Sequence, residues 1–171
     1  GDRDLAGPGP QRRQIGEIVG GVRDQAQDRA FDWRCLVRVK AMAPEIPTFA
    51  TTLPQSWFAP GDPPAAHWPP PKKELQAIRA AVAAGANWEA GFPMKDYPSL
   101  QHAVKASGAD GWFPYYPDVT GESATRTAEL GLALAAWTVP AEEAAHLAGL
   151  GCKAICTDNP IGTRRLLSSG A

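Results

Sequence analysis

The feature that most limits the fold is a regular alternation in the second half of the chain: short apolar runs, each followed by a helix-forming stretch, recur from Gly111 to Leu167. The pattern predicts strands Gly111–Phe113, Leu132–Trp137 and Lys153–Cys156, interleaved with helices Glu122–Leu130, Ala141–Ala148 and Ile161–Leu167. Strands apolar on both faces lie between helix layers, and helical crossovers between consecutive strands make their sheet parallel. Two architectures satisfy this, an open doubly wound sheet and a closed (β/α) barrel. Neither G-x-G-x-x-G nor G-x-x-x-x-G-K-[ST], the phosphate loops of doubly wound nucleotide binders, occurs in the sequence, which favours the barrel.

The first half extends the same order. Residues 1–29 are polar, with few scattered aliphatics, and read as a poorly ordered or unrelated leader with one marginal helix near Gln14–Gln27. Composition changes at Ala30, and residues 30–171 form the barrel-like part. There "AFDWRCLVRVKAMAP" places Phe31 at a strand end and Asp32 as the N-cap of a helix that turns Leu36, Val37 and Met42 inward. Ile46–Thr51 follows as a short strand. Residues 54–71 are so rich in proline that neither helix nor central strand is expected, only a long extended loop. Lys72–Gly85 is a helix with Leu75, Ile78, Ala81 and Val82 on one stripe and Gly85 as its stop, and another helix spans Pro98–Ala106.

In a barrel the chemistry sits at the C-terminal ends of the strands. Those ends carry Phe31 and Asp32, Thr51 and Thr52, Pro114 to Tyr116, Trp137 and Thr138, and Thr157 and Asp158. Trp137 and Phe31 read either as core or as walls of a pocket. Tyr115 and Tyr116 read either as ligand contacts or as exposed loop aromatics. His102 and His146 fall within helices, and His67, in the proline-rich loop, is the histidine able to reach a pocket. Asp158 or Asn159 caps a helix starting at Pro160, whose first amides could face a phosphate, while Arg164 and Arg165 lie on its solvated surface. Carboxylates spaced to hold a hard cation are missing: the D-x-D of Asp2 and Asp4 lies in the polar leader, and no E-x-D occurs. No residue is therefore assigned as catalytic or as a metal ligand.

Composition narrows the partners. The 171 residues are 44% hydrophobic and 20% charged with net charge −1, which fits one globular domain and leaves no basic field for nucleic acid. No apolar run approaches the roughly 20 residues that cross a bilayer, and the first residues lack the apolar stretch of a secretory signal. Cys35, Cys152 and Cys156 form no C-x-x-C pair. They read as small buried hydrophobes of a reducing compartment, which favours the cytoplasm.

"AFDWRCLVRVKAMAPEIPTFATT", "GADGWFPYYPDVT" and "ELGLALAAWTVPAEEAAHLAGLGCKAICTDNP" resemble the C-terminal half of bacterial glycerophosphodiester phosphodiesterases. The most specific part is a strand ending tryptophan-threonine-valine, followed about twenty residues on by one ending threonine-aspartate-x-proline. The resemblance runs over about Ala30–Leu167 and implies a partial TIM-type barrel, about the last five β/α units. It implies hydrolysis of glycerophosphodiesters to glycerol 3-phosphate and an alcohol, a step of phospholipid and glycerol metabolism. It also implies a divalent cation, magnesium or calcium, in the intact enzyme. Trp137 and Phe31 match the family's pocket-bordering tryptophan and strand-end phenylalanine, and Tyr115 and Tyr116 join them as substrate-binding candidates. Pro140 stands where many relatives have asparagine. The family's histidine-arginine-glycine and glutamate-x-aspartate motifs are absent, so the chain reads as a truncated form inactive alone. The alternatives are a noncatalytic binding or assembly module, self-associating through exposed strand edges, and another phosphate-handling barrel enzyme.

Overall fold

Helix and strand alternate through a computed structural model that describes residues 32–61, 63, 72–86, 89 and 91–169. The chain divides into two units, Gly1–Ala30 and Phe31–Ala171, and the structure below is that of the second. The leader with its helix near Gln14–Gln27, the strand expected to end at Phe31, and His67 lie outside the described residues.

Four strands, β1 (Phe49–Thr51), β2 (Gly111–Phe113), β3 (Ala133–Ala136) and β4 (Ala154–Ile155), form one sheet in sequence order with every neighbouring pair parallel. Helices α1 (Arg34–Met42), α2 (Lys72–Ala83), α3 (Leu100–Ala106), α4 (Gly121–Glu129), α5 (Ala144–Gly149) and α6 (Pro160–Ser169) alternate with them. A doubly wound sheet reverses its strand order at a switch point. Here the order runs β1-β2-β3-β4 without reversal, as in a segment of a (β/α) barrel.

Register separates the two faces of the sheet. Ala50, Trp112 and Leu134 are direct neighbours across β1, β2 and β3, and all three are buried. They share one core with Ala103 and Val104 of α3, Ala124 of α4, and Ala144 and Leu147 of α5. The opposite face begins with Phe49, whose ring lies across Gly111: a Cβ there would come within 2.3 Å of the ring and 2.7 Å of the Ala133 carbonyl oxygen. Glycine at the foot of β2 is what lets that ring lie flat.

One device recurs where a helix turns into a strand. After α4, Gly131 N–H donates to Ala128 O (2.9 Å) and Leu132 N–H to Thr127 O (3.0 Å); after α5, Gly151 N–H donates to Ala148 O (3.0 Å) and Cys152 N–H to Leu147 O (3.1 Å). Both glycines are left-handed, at φ +66° and +95°, which completes the same C-terminal cap twice. "ELGL" and "GLGC" are its sequence trace.

Several expectations are corrected. In α1, Val37 (38% exposed) and Met42 (51% exposed) face solvent, and Trp33 with Leu36 packs inward, because only the start of the helix meets the core. Trp33 rather than Asp32 is the N-cap of that helix and makes no side-chain cap hydrogen bond, while the Asp32 carboxylate, one residue earlier, accepts Arg34 N–H at 3.0 Å. The strand expected over Ile46–Thr51 shrinks to β1: Ile46 is exposed, and Pro47 has no N–H for a ladder. Ala81 and Val82 of α2 are exposed, so Leu75 alone is fully buried there. The proline-rich loop contains one turn of 3₁₀ helix, Gln55–Trp57, which forms because Pro54 sits just before it and costs it no donor. Cys156, just past the two-residue β4 at the end of the described sheet, is exposed, and Cys35 and Cys152 are half-buried. Of the two cap candidates for α6, Asp158 and Asn159, it is Asn159 that serves, its Oδ1 accepting Gly162 N–H at 3.0 Å.

Candidate functional site

Beyond β2 and β3 the chains stay joined for two residues. Trp137 N–H donates to Pro114 O (3.0 Å) and Tyr116 N–H to Trp137 O (3.2 Å), so Tyr115 and Trp137 form a further parallel bridge at the C-terminal ends of the strands. This extension brings three candidate residues together. The Tyr115 and Trp137 rings lie 4.9 Å apart at 42°, and the Tyr115 and Tyr116 rings 5.2 Å apart in an edge-on arrangement. Tyr115 and Trp137 are buried and Tyr116 is half-buried; Tyr115 is therefore not an exposed loop aromatic. Burial, with Glu143 and Glu142 nearby, pushes the Tyr116 hydroxyl above its ordinary range and keeps it a neutral donor.

The next residue is strained. Thr138 has φ +54°, a left-handed conformation unfavourable for a β-branched side chain. It turns the chain out of the β3 direction, and Val139 N–H then reaches Cys156 O at 3.0 Å.

A half-buried acid that the strand-end pattern did not single out joins two of the loops. Asp118 lies in the 3₁₀ turn Tyr116–Asp118 after β2 and accepts Gln55 N–H from the loop after β1 at 3.1 Å. Burial pushes its carboxyl up to about 6, against the opposing pull of that hydrogen bond. Its backbone carbonyl accepts Ser123 Oγ–H at 3.0 Å, and Ser123 forms a capping box with Thr120 at the start of α4. The sequence clue was an acid between a strand end and a helix cap, in "YYPDVT".

The loop after β1 is held from its other side by Arg79 of α2, which donates to Trp57 O (2.7 Å), Ala59 O (2.6 Å) and Gly61 O (2.8 Å). Beside this loop lies a small cleft, with enclosed room for about one water-sized group, lined by Trp33, Thr52, Gln55, Phe58, Glu89 and Met94. Glu89 is half-buried, and burial raises its carboxyl above the ordinary range although Met94 N–H donates to it. Nothing in the spacing of the surrounding sequence marks Glu89.

The remaining candidates lie apart. Phe31 and His67 are outside the described residues. His102 is held at the start of α3 by Ser99, Oγ to Nδ1 2.8 Å, and His146 is exposed on α5. Asp158, Arg164 and Arg165 are exposed. Among the described residues no group of three or more histidines, cysteines or carboxylates could hold a metal ion, so the donor set does not fit the cation implied by the sequence resemblance and no step is assigned to it. No helix among the described residues is long and apolar enough to cross a membrane.

No family model and no curated protein matches the chain. Among solved structures it is similar to a protein of Silicibacter pomeroyi DSS-3 assigned as a glycerophosphoryl diester phosphodiesterase, with TM-score 0.57 and 26% identity over 99% of this chain and 48% of that one. It also matches a protein of Galdieria sulphuraria assigned as a glycerophosphodiester phosphodiesterase, with TM-score 0.46 and 17% identity over 81% of this chain and 42% of that one. The chain thus spans about half the length of the solved structures it matches.

Proposed function

We propose, from the premise that the chain belongs to the glycerophosphodiester phosphodiesterase family, that it supplies the substrate-facing aromatic wall of a barrel that hydrolyses glycerophosphodiesters to glycerol 3-phosphate and an alcohol. Alone it does not turn over. The observation that carries this reading is the match of 99% of the chain to about half of a structure assigned to that activity. Trp137, Tyr115 and Tyr116 stand at the strand ends, where a barrel binds its substrate. Hydrolysis of a phosphodiester also needs a charge-neutralising centre, an activated nucleophile and an acid for the leaving group. The sequence holds neither a histidine-arginine-glycine nor a glutamate-x-aspartate motif to supply them.

The test is release of glycerol 3-phosphate from glycerophosphocholine in the presence of magnesium or calcium. The chain alone is expected to release none, and mixing it with an N-terminal half-barrel of a relative is expected to restore release. In that complex Trp137→Ala should lower kcat/KM by about tenfold, a loss of roughly 1.4 kcal/mol of transition-state binding. Release by the chain alone, or two halves that do not associate, would overturn this division of labour.

A second reading, a noncatalytic assembly module, is favoured by the sheet itself. Among the described residues β1 and β4 each have one strand neighbour, and open edges pair with other chains. Concentration-dependent dimers in sedimentation, without complementation by the half-barrel, would support it.

A further inference from the structure

The cleft beside the loop after β1 has a chemistry the aromatic wall does not share. Its one carboxylate, Glu89, is half-buried, and no lysine or arginine among the described residues pairs with it. A carboxylate withdrawn from water without a cation is destabilised, and a cation delivered by a ligand removes that penalty. The apolar part of the wall around it is fixed. The Trp33 indole is pinned by its Nε1–H donating to Thr51 O at 2.9 Å, and Phe58 follows Trp57, whose carbonyl Arg79 holds. Gln55 donates from Nε2 to Leu53 O at 2.9 Å, which leaves the amide oxygen as its remaining acceptor.

Size then selects the cation. The enclosed part of the cleft has room for about one water-sized group. An –NH₃⁺ group is of that size and brings three donors, which a carboxylate, an amide oxygen and a threonine hydroxyl can accept. A trimethylammonium group is several times larger and donates no hydrogen bond.

We propose that this cleft binds the primary ammonium end of a small amino alcohol of the ethanolamine type, in preference to a quaternary ammonium such as choline, with Glu89 as its counter-ion. The proposal rests on the reading of the chain as part of a glycerophosphodiester hydrolase, whose leaving alcohol would carry that group. The cleft opens beside Thr51 and Thr52, at the C-terminal end of β1, the end of the strands where such an alcohol would leave.

Nuclear magnetic resonance on the full chain tests it with ethanolamine, choline and glycerol as probes, following the Met94 amide and the Trp33 indole N–H. Ethanolamine should shift both signals saturably, choline should bind at least tenfold more weakly, and glycerol should leave them in place. Glu89→Gln should weaken ethanolamine at least tenfold while the Tyr115 and Trp137 signals stay unchanged. In the unmutated chain, ethanolamine affinity should fall as pH drops through the Glu89 titration, a readout that stands even if the variant does not fold. Equal binding of choline, equal binding by Glu89→Gln, or no shift with ethanolamine would each overturn the proposal. None of those outcomes touches hydrolysis by the complemented barrel, which is measured separately as glycerol 3-phosphate release, so the two readings fail independently.

Discussion

Strand β2 has an aspartate near each end, and the two are held in opposite ways. Asp110, just before the strand, is exposed; its carboxylate accepts Thr48 N–H at 2.7 Å and lies 2.5 Å from Lys40 Nζ, which also donates to the Pro44 and Ile46 carbonyls. The Lys40 hydrogen bond, joined by the Thr48 amide, holds its carboxyl below the ordinary range. Asp118, beyond the other end, is half-buried with a single backbone amide on its carboxylate, and burial pushes it up to about 6. The lesson is one of placement. At the foot of the sheet Asp110 has both an amide and an ammonium partner, whereas the mouth holds an under-compensated acid and a left-handed threonine.

The strongest way to break the comparison is at the foot. Gly111→Ala places a Cβ 2.3 Å from the Phe49 ring and 2.7 Å from a backbone oxygen, and should cost about 3 kcal/mol in urea unfolding. The next effect belongs to the mouth. The folded chain keeps the Asp118 proton up to about pH 6, whereas an unfolded aspartate loses it near 3.8. The stabilisation from that proton is complete below the unfolded value and is lost as pH rises through about 6. Asp118→Asn should therefore gain about 2 kcal/mol over the unmutated chain at pH 7 and nothing at pH 3, read from paired denaturation curves.

Thr138→Gly sharpens the contrast further. Glycine adopts φ +54° without a Cβ penalty, so the variant should be about 1 kcal/mol more stable, with the Trp137 signals in place. The smallest effect returns to the foot. A depressed carboxyl stabilises above its unfolded value and loses that contribution as pH falls through the folded one. Asp110→Asn should then cost about 0.5 kcal/mol at pH 7, and nothing near pH 2, by the same unfolding assay.

Much of the fold was legible because it is written in local chemistry. "GWF", "ALAA" and "AI" are strands between helix stops, and the glycines of "ELGL" and "GLGC" sit where a left-handed residue is required. Trp137, Tyr115 and Tyr116 were legible as strand-end aromatics, and the fold gathers them into one cluster. The misreadings lie where a residue's surroundings come from distant segments. Val37 and Met42 have the spacing of an inward stripe, yet among the described residues no element covers them. Asp118 reads as an ordinary turn aspartate until Gln55, sixty-three residues away, is folded onto it.

The sequence by itself determined the order of strands and helices, their stops and caps, and the absence of the hydrolytic motifs, because each depends on neighbours a few residues apart. Only the tertiary structure decided which carboxylates lie half-buried, which loop Arg79 anchors, and where a cleft opens beside Glu89. Desolvation and shape are properties of surfaces brought together from far along the chain, and no local pattern carries them.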